Sequence, residues 1–74
     1  MTERQEKIAA VKLAKKLFQM NYGRIYRKDI TLLETGFYGD KIDMILFRND
    51  YTGREYRVCF DLESRTYFID KMEG

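Results

Sequence analysis

The side chains able to do covalent chemistry are few. Histidine is absent, and Cys59 is the one cysteine of the 74 residues. A serine or cysteine nucleophile would therefore need a lysine or carboxylate base. Ser64 sits in a turn-like stretch with no such base beside it. Cys59 falls in the middle of an apolar run, YRVCFD, and reads as a small half-buried hydrophobe. Zinc is disfavoured for the same reason: without histidine, only carboxylates remain, and these suit harder cations.

Asp43, Glu55 and Arg57 are similar in order to the D…ExK pattern of nucleases, with Arg in place of Lys. Their spacing argues against a shared metal. If Asp43 lies opposite Cys59, Glu55 is four residues away along the neighbouring strand, about 13 Å at about 3.3 Å per residue. No glycine-rich phosphate loop and no EF-hand spacing is present. The expectation is a protein that is not an enzyme and has no metal or cofactor.

The elements that position these groups centre on Lys41 to Asp61, KIDMILFRNDYTGREYRVCFD. Two arms rich in Ile, Leu, Phe, Tyr and Val flank Asn49, Asp50 and Gly53, which predicts a hairpin. Taking Asn49 to Gly53 as the loop sets Arg48 opposite Arg54, Leu46 opposite Tyr56, Met44 opposite Val58 and Ile42 opposite Phe60. These six apolar groups then share one side, because side chains alternate along a strand. A slip of one residue would reverse the sides of one arm. Asp50 is expected to bond the backbone ahead of it, and Gly53 to take the positive φ of the loop.

Ahead of the hairpin, Thr2 to Asn21 reads as a helix with Thr2 as N-cap and Glu3 and Glu6 in its first turn. Ala10, Leu13, Ala14, Leu17 and Phe18 fall on one arc, with Val11 at its edge. Lys12, Lys15, Lys16 and Gln19 fall on the opposite arc. Ile8 lies among the polar residues, where frayed or shifted helix geometry is the favoured account and a contact with a partner the other. Gly23 is a natural stop, and RIYRK, 24–28, a connector. Asp29 to Thr35 reads as a first strand with Leu32 opposite Met44, and GFYGD, 36–40, as the turn after it. Arg65 to Asp70 is the last strand, with Phe60 opposite Arg65, Val58 opposite Tyr67 and Tyr56 opposite Ile69. Asp50-x-x-x-Arg54-x-Tyr56 recurs eleven residues later as Asp61-x-x-x-Arg65-x-Tyr67, read as two turns of similar chemistry.

The sequence thus predicts one α+β domain over residues 1–74, in two layers. An N-terminal helix, 2–21, packs on a four-stranded antiparallel meander, approximately 29–70. Ile30, Leu32, Ile42, Met44, Leu46, Tyr56, Val58, Phe60, Tyr67 and Ile69 would face the helix. That order of elements resembles the cystatin-like arrangement of a helix cradled by a meander. YRVCFDLESRTYFID, Tyr56 to Asp70, is similar to the final strands of PepSY-type domains. The QxVxG turn of cystatin inhibitors is absent, so neither resemblance brings functional residues with it.

One helical layer covers one side of the sheet. Leu33, Ile45, Phe47, Cys59 and Phe68 would be left on the other, an apolar band of the kind that marks association. The expected function is protein binding through this open face by Leu33, Ile45, Phe47 and Phe68, with Phe47 and Phe68 as anchors. The partner would be a second copy or a different protein. Composition alone associates such small, charge-rich, cysteine-poor domains with accessory or inhibitory factors of phages and mobile elements. The alternative rests on charge. Residues 1–28 carry eight Lys/Arg and two Glu, a net +6, while 29–74 carry a net −4. Lys12, Lys15, Lys16, Arg24, Arg27 and Lys28 could meet the phosphates of nucleic acid, with Tyr22 and Tyr26 stacking on bases. No apolar run approaches the roughly 18 residues of a membrane span, and MTERQEK has no signal-peptide core, so a cytoplasmic location is expected.

Overall fold

The computed structural model describes residues 2–72. Helix α1, Glu3–Asn21, is followed by a 3-10 turn, Arg27–Asp29. Four strands then run as an antiparallel sheet in sequence order: β1, Ile30–Tyr38; β2, Lys41–Asn49; β3, Arg54–Asp61; and β4, Thr66–Met72. The α+β architecture of one helix on a four-stranded meander is as the sequence predicts.

Helix α1 starts where Thr2 caps it. The Thr2 hydroxyl accepts from the Gln5 backbone N–H at 3.2 Å, and the Gln5 side chain accepts in return from the Thr2 N–H at 3.0 Å. This reciprocal box satisfies two of the donors that a helix start leaves without partners. Ala10, Val11, Ala14, Leu17 and Phe18 are buried, the arc that the 3.6-residue period picks out. Ala10 and Ala14 are fully covered, and their small side chains let the helix lie close to the sheet. At its far end, Asn21 Nδ2 donates to the Leu17 carbonyl at 2.7 Å and to the Tyr67 hydroxyl at 3.1 Å, tying α1 to β4.

The central hairpin departs from the expected register by one residue. Asn49 pairs with Arg54, Arg48 with Glu55, Phe47 with Tyr56, Ile45 with Val58 and Met44 with Cys59. The loop is therefore one residue shorter than expected and runs from Asp50 to Gly53. This step reverses the sides of β2 over Met44 to Asn49. Ile45 and Phe47 face the helix and are fully buried, while Met44 and Leu46 face away. Phe47 stacks on Tyr56 with ring centroids at 5.6 Å and meets Phe18 edge-on at 6.2 Å. Phe18 also meets Tyr56 edge-on at 5.0 Å, so three rings interlock at the centre of the core.

Ile42 nevertheless packs on the core, as expected, because β2 carries a bulge. Gly36 pairs with Met44 and Phe37 with Ile42, leaving Asp43 as the extra residue. The Asp43 carboxylate lies against Gly36, where an added Cβ would come within 2.6 Å of it. Gly36 is thus a strand residue beside a bulge, not part of the turn. The turn is Gly39-Asp40 alone, with Gly39 at φ 65°, the first-position glycine that a two-residue hairpin favours. The first strand accordingly runs three residues beyond Thr35. The shorter turn sets Leu32 opposite Phe47 rather than Met44, and a second bulge, at Leu33 on β1, offsets the one at Asp43.

Strand β4 is also offset from expectation, with Phe60 opposite Tyr67 and Val58 opposite Ile69. This shift is of two residues, which leaves every side chain on its expected side. Tyr67 and Ile69 pack on the core, and Phe68 points away. The connector supplies one core residue not expected from the sequence, Ile25, which is buried.

The two later loops match each other at a spacing of twelve residues, not eleven: Asn49 corresponds to Asp61 and Gly53 to Arg65. Asn49 Oδ1 accepts from the Tyr51 N–H at 3.0 Å, and Asp61 Oδ1 from the Glu63 N–H at 3.1 Å. The fourth loop position is left-handed in both, Gly53 at φ 77° and Arg65 at φ 58°. Asn49, not Asp50, makes the backbone bond. A non-glycine residue in this region carries a steric penalty of about 1 kcal/mol or more. Arg65→Gly is therefore expected to stabilise the fold by about 1 kcal/mol, a rise in Tm of about 4–8 °C. Thermal unfolding followed by circular dichroism measures it.

Candidate functional site

Two surfaces carry the residues singled out for function, and the register correction changes the first. Ile45 and Phe47 are fully buried under α1 and cannot be contact residues on the open face. Leu33 and Phe68 are exposed, at 40% and 58%. The open face is built from cross-strand rows. One row runs Gly36, Met44, Cys59, Phe68; the next runs Glu34, Leu46, Arg57, Asp70. The first is apolar and the second is mostly charged.

Phe68 stands at the outer end of the apolar row, on the edge strand β4. With Tyr38, Cys59 and Leu62 it lines a shallow hollow of about 500 Å³. Tyr38 is 74% exposed. Sequence reasoning misses Tyr38 because the two glycines around it suggest a turn rather than a strand. Cys59 is half-buried between Met44 and Phe68. Strand β4 pairs with β3 without a bulge, and its other edge has no strand beside it among the described residues.

The far end of the open face is held by polar groups. Asp50 accepts from the Thr31 hydroxyl at 2.6 Å and from Arg48 Nε at 2.8 Å. Its backbone N–H donates to the Asp29 carbonyl at 2.7 Å, anchoring the hairpin loop on the 3-10 turn. The Thr31 hydrogen bond, then the Arg48 bond and charge, hold the Asp50 carboxyl below its ordinary value. A carboxyl depressed on folding stabilises the native state above its unfolded pKa, about 3.9 for Asp, and loses that effect as pH falls through the folded value. Asp50→Asn is expected to lower stability at neutral pH and to flatten its fall below about pH 4. Urea titrations from acid to neutral pH read out both effects.

The second surface is the basic one. Lys12, Lys16, Arg24, Arg27 and Lys28 are exposed and Lys15 is half-buried. None of the six forms an ion pair among the described residues. They do not converge. Arg24 and Lys28 border a hollow of about 360 Å³ with Tyr26 and Tyr51, which are 54% and 86% exposed. Arg27 lines a different hollow, with Arg4 and Ile8. Tyr22, offered as a stacking ring, lies instead against Phe18 and Tyr56 at 5.2 and 5.1 Å.

Asp43 sits in the β2 bulge and Glu55 pairs with Arg48 and Met72 at the other end of the sheet. Among the described residues no three His, Cys, Asp or Glu side chains converge as metal ligands. Nor is any helix among them long and apolar enough to cross a membrane. No family model, curated protein or solved structure matches this chain, so the likeness to cystatin-like and PepSY-type domains rests on element order and one segment alone.

Proposed function

We propose that this chain is a non-enzymatic protein-binding module whose first partner is a second copy, joined through β4 and the apolar row ending at Phe68. The observation that carries the reading is an edge with no strand beside it among the described residues. Strand β4 is seven residues long, unbulged and free of proline, and an edge of this kind pairs readily with another strand. Pairing β4 with itself is self-complementary under a two-fold axis, the commonest symmetry of small oligomers. It would bring two Phe68 rings onto the same face of one eight-stranded sheet and extend the Met44–Cys59–Phe68 row across the junction. Leu33 lies on the opposite edge strand and takes no part.

The test is sedimentation at several concentrations. The wild-type chain is expected to move from monomer to dimer as concentration rises. Phe68→Asp is expected to remain monomeric with unchanged circular dichroism. A wild-type chain that stays monomeric throughout, or a variant that dimerises equally well, would reject the proposal.

The nucleic-acid reading keeps one observation in its favour. Arg24 and Lys28 flank two exposed tyrosines, Tyr26 and Tyr51, a pairing of cations and rings that suits single strands. It requires retention on heparin that falls steeply with salt and is lost in Arg24→Gln/Lys28→Gln.

A further inference from the structure

The opposite edge of the sheet carries a second feature, independent of β4. Strand β1 is an edge strand, and the first half of α1 runs beside it. Between them lie two hollows of about 520 and 340 Å³, which share Glu3, Lys7 and Leu32 and so form one groove. Its apolar lining includes Ile8, Leu32, Leu33 and Phe37, of which Ile8, Leu33 and Phe37 are each 40% exposed. Ile8 is the residue that looks misplaced on the polar arc of the helix. Its helix is regular, and the side chain lines the groove.

Charge changes sign along the groove. At the Ile30 end stand Arg4 and Arg27, neither in an ion pair among the described residues. At the Phe37 end stand Glu6 and Glu34. Lys7, between them, is paired with Glu3 at 3.7 Å. Ile30 to Phe37 spans about 23 Å at about 3.3 Å per residue, the length of a roughly seven-residue extended segment.

We infer that this groove takes an extended peptide, added to β1 as an antiparallel strand, with apolar side chains at alternate positions and an acidic C-terminal end. Antiparallel addition is the slightly more stable pairing. Because β1 runs from Ile30 to Tyr38, an antiparallel strand ends beside Ile30. Its acidic residue or free carboxylate then meets Arg4 and Arg27, and a basic N-terminal residue meets Glu6 and Glu34. Guanidinium groups suit this role because they bind carboxylates through two parallel hydrogen bonds. Leu33 is the extra residue of the bulge in the pairing of β1 with β2. The bulge residue is itself one of the exposed apolar contacts of the groove. Main-chain bonds to β1 on either side of it supply affinity, and alternate side chains and the charge gradient supply direction.

The test uses a displayed library of random heptapeptides with free C-termini, selected on the full chain. Enrichment of alternating apolar residues with Asp or Glu near the C-terminus is expected. A synthetic enriched peptide should shift the backbone amide resonances of β1 and the first half of α1. Arg4→Glu/Arg27→Glu should bind it roughly tenfold more weakly with unchanged circular dichroism. Failure to enrich, shifts confined to β4 and the open face, or binding indifferent to the charge reversal would each overturn the proposal. Enriched peptides with the acidic end at the N-terminus would overturn the antiparallel orientation.

Discussion

Phe47→Ala is expected to remove a large share of the stability of the chain. Phe47 is fully buried, stacked on Tyr56 and edge-on to Phe18. Truncating such a ring removes its burial and leaves a cavity, at a cost of about 3–5 kcal/mol. A chain of this size has roughly 4–11 kcal/mol of stability in total, so the loss is a large share of it. Each kcal/mol moves Tm by about 4–8 °C in a domain this small, so a fall of about 12 °C or more is expected. The contrast is Phe68→Ala. That ring is 58% exposed, and its removal is expected to cost the monomer under about 1 kcal/mol. Urea denaturation of the wild-type chain and both variants measures the difference. Equal, small losses at both positions would place Phe47 outside the core.

Ile45→Asp and Leu46→Asp form the second decisive pair. The two residues are neighbours in one strand and similar in size, yet Ile45 is fully covered beneath α1 and Leu46 lies on the open face in the row with Arg57. A carboxylate at position 45 has no hydrogen-bond partner and no water, and burying an unpaired charge costs several kcal/mol. Ile45→Asp is expected to abolish cooperative unfolding. At position 46 the carboxylate would sit beside Arg57 and reach solvent, so Leu46→Asp should fold, with a loss of about 1–2 kcal/mol. The register expected from the sequence predicts the reverse order. Far-ultraviolet circular dichroism with thermal melts of both variants separates the two.

The helix is legible in the sequence because its apolar arc, Ala10 to Phe18, agrees with its cap at Thr2. The sides of β3 and β4 are legible too. Tyr56, Val58 and Phe60 alternate cleanly with Glu55, Arg57 and Cys59, and the error in pairing β4 is of two residues, which a period of two conceals. Strand β2 is not legible by the same rule. Met44, Ile45, Leu46 and Phe47 are apolar on both parities, so alternation cannot say which pair is inside. The Asp43 bulge adds a second ambiguity, since Ile42 and Ile45 face the core from opposite parities.

Loop length is the deciding variable. Asn49 serves as last pairing residue and loop cap together, through its own side chain. Adjacent Asn and Asp offer two candidates for the cap, and placing Asn49 inside the loop rather than at its edge lengthens the loop by one. With the register, Ile45 and Phe47 move from the open face to the core, while Leu33 and Phe68 stay exposed. The groove beside β1 has one sequence signal, the apolar Ile8 on a polar arc. Its meaning depends on which strand the helix covers, which no periodicity encodes. Ile25 is hidden similarly, a single aliphatic residue in a basic connector.

The pairing of β2 with β3 underlies every surface described above, and the native Cys59 is a ruler for it. Met44 lies directly opposite Cys59, within reach of a cross-strand disulfide, whereas Asp43 sits in the bulge. Met44→Cys and Asp43→Cys are each oxidised at low protein concentration, and intrachain disulfide is quantified by peptide mapping. The observed register predicts a crosslink between position 44 and Cys59 in the first variant, in clearly higher yield than any from position 43 in the second. A crosslink from position 43 and none from position 44 would contradict it.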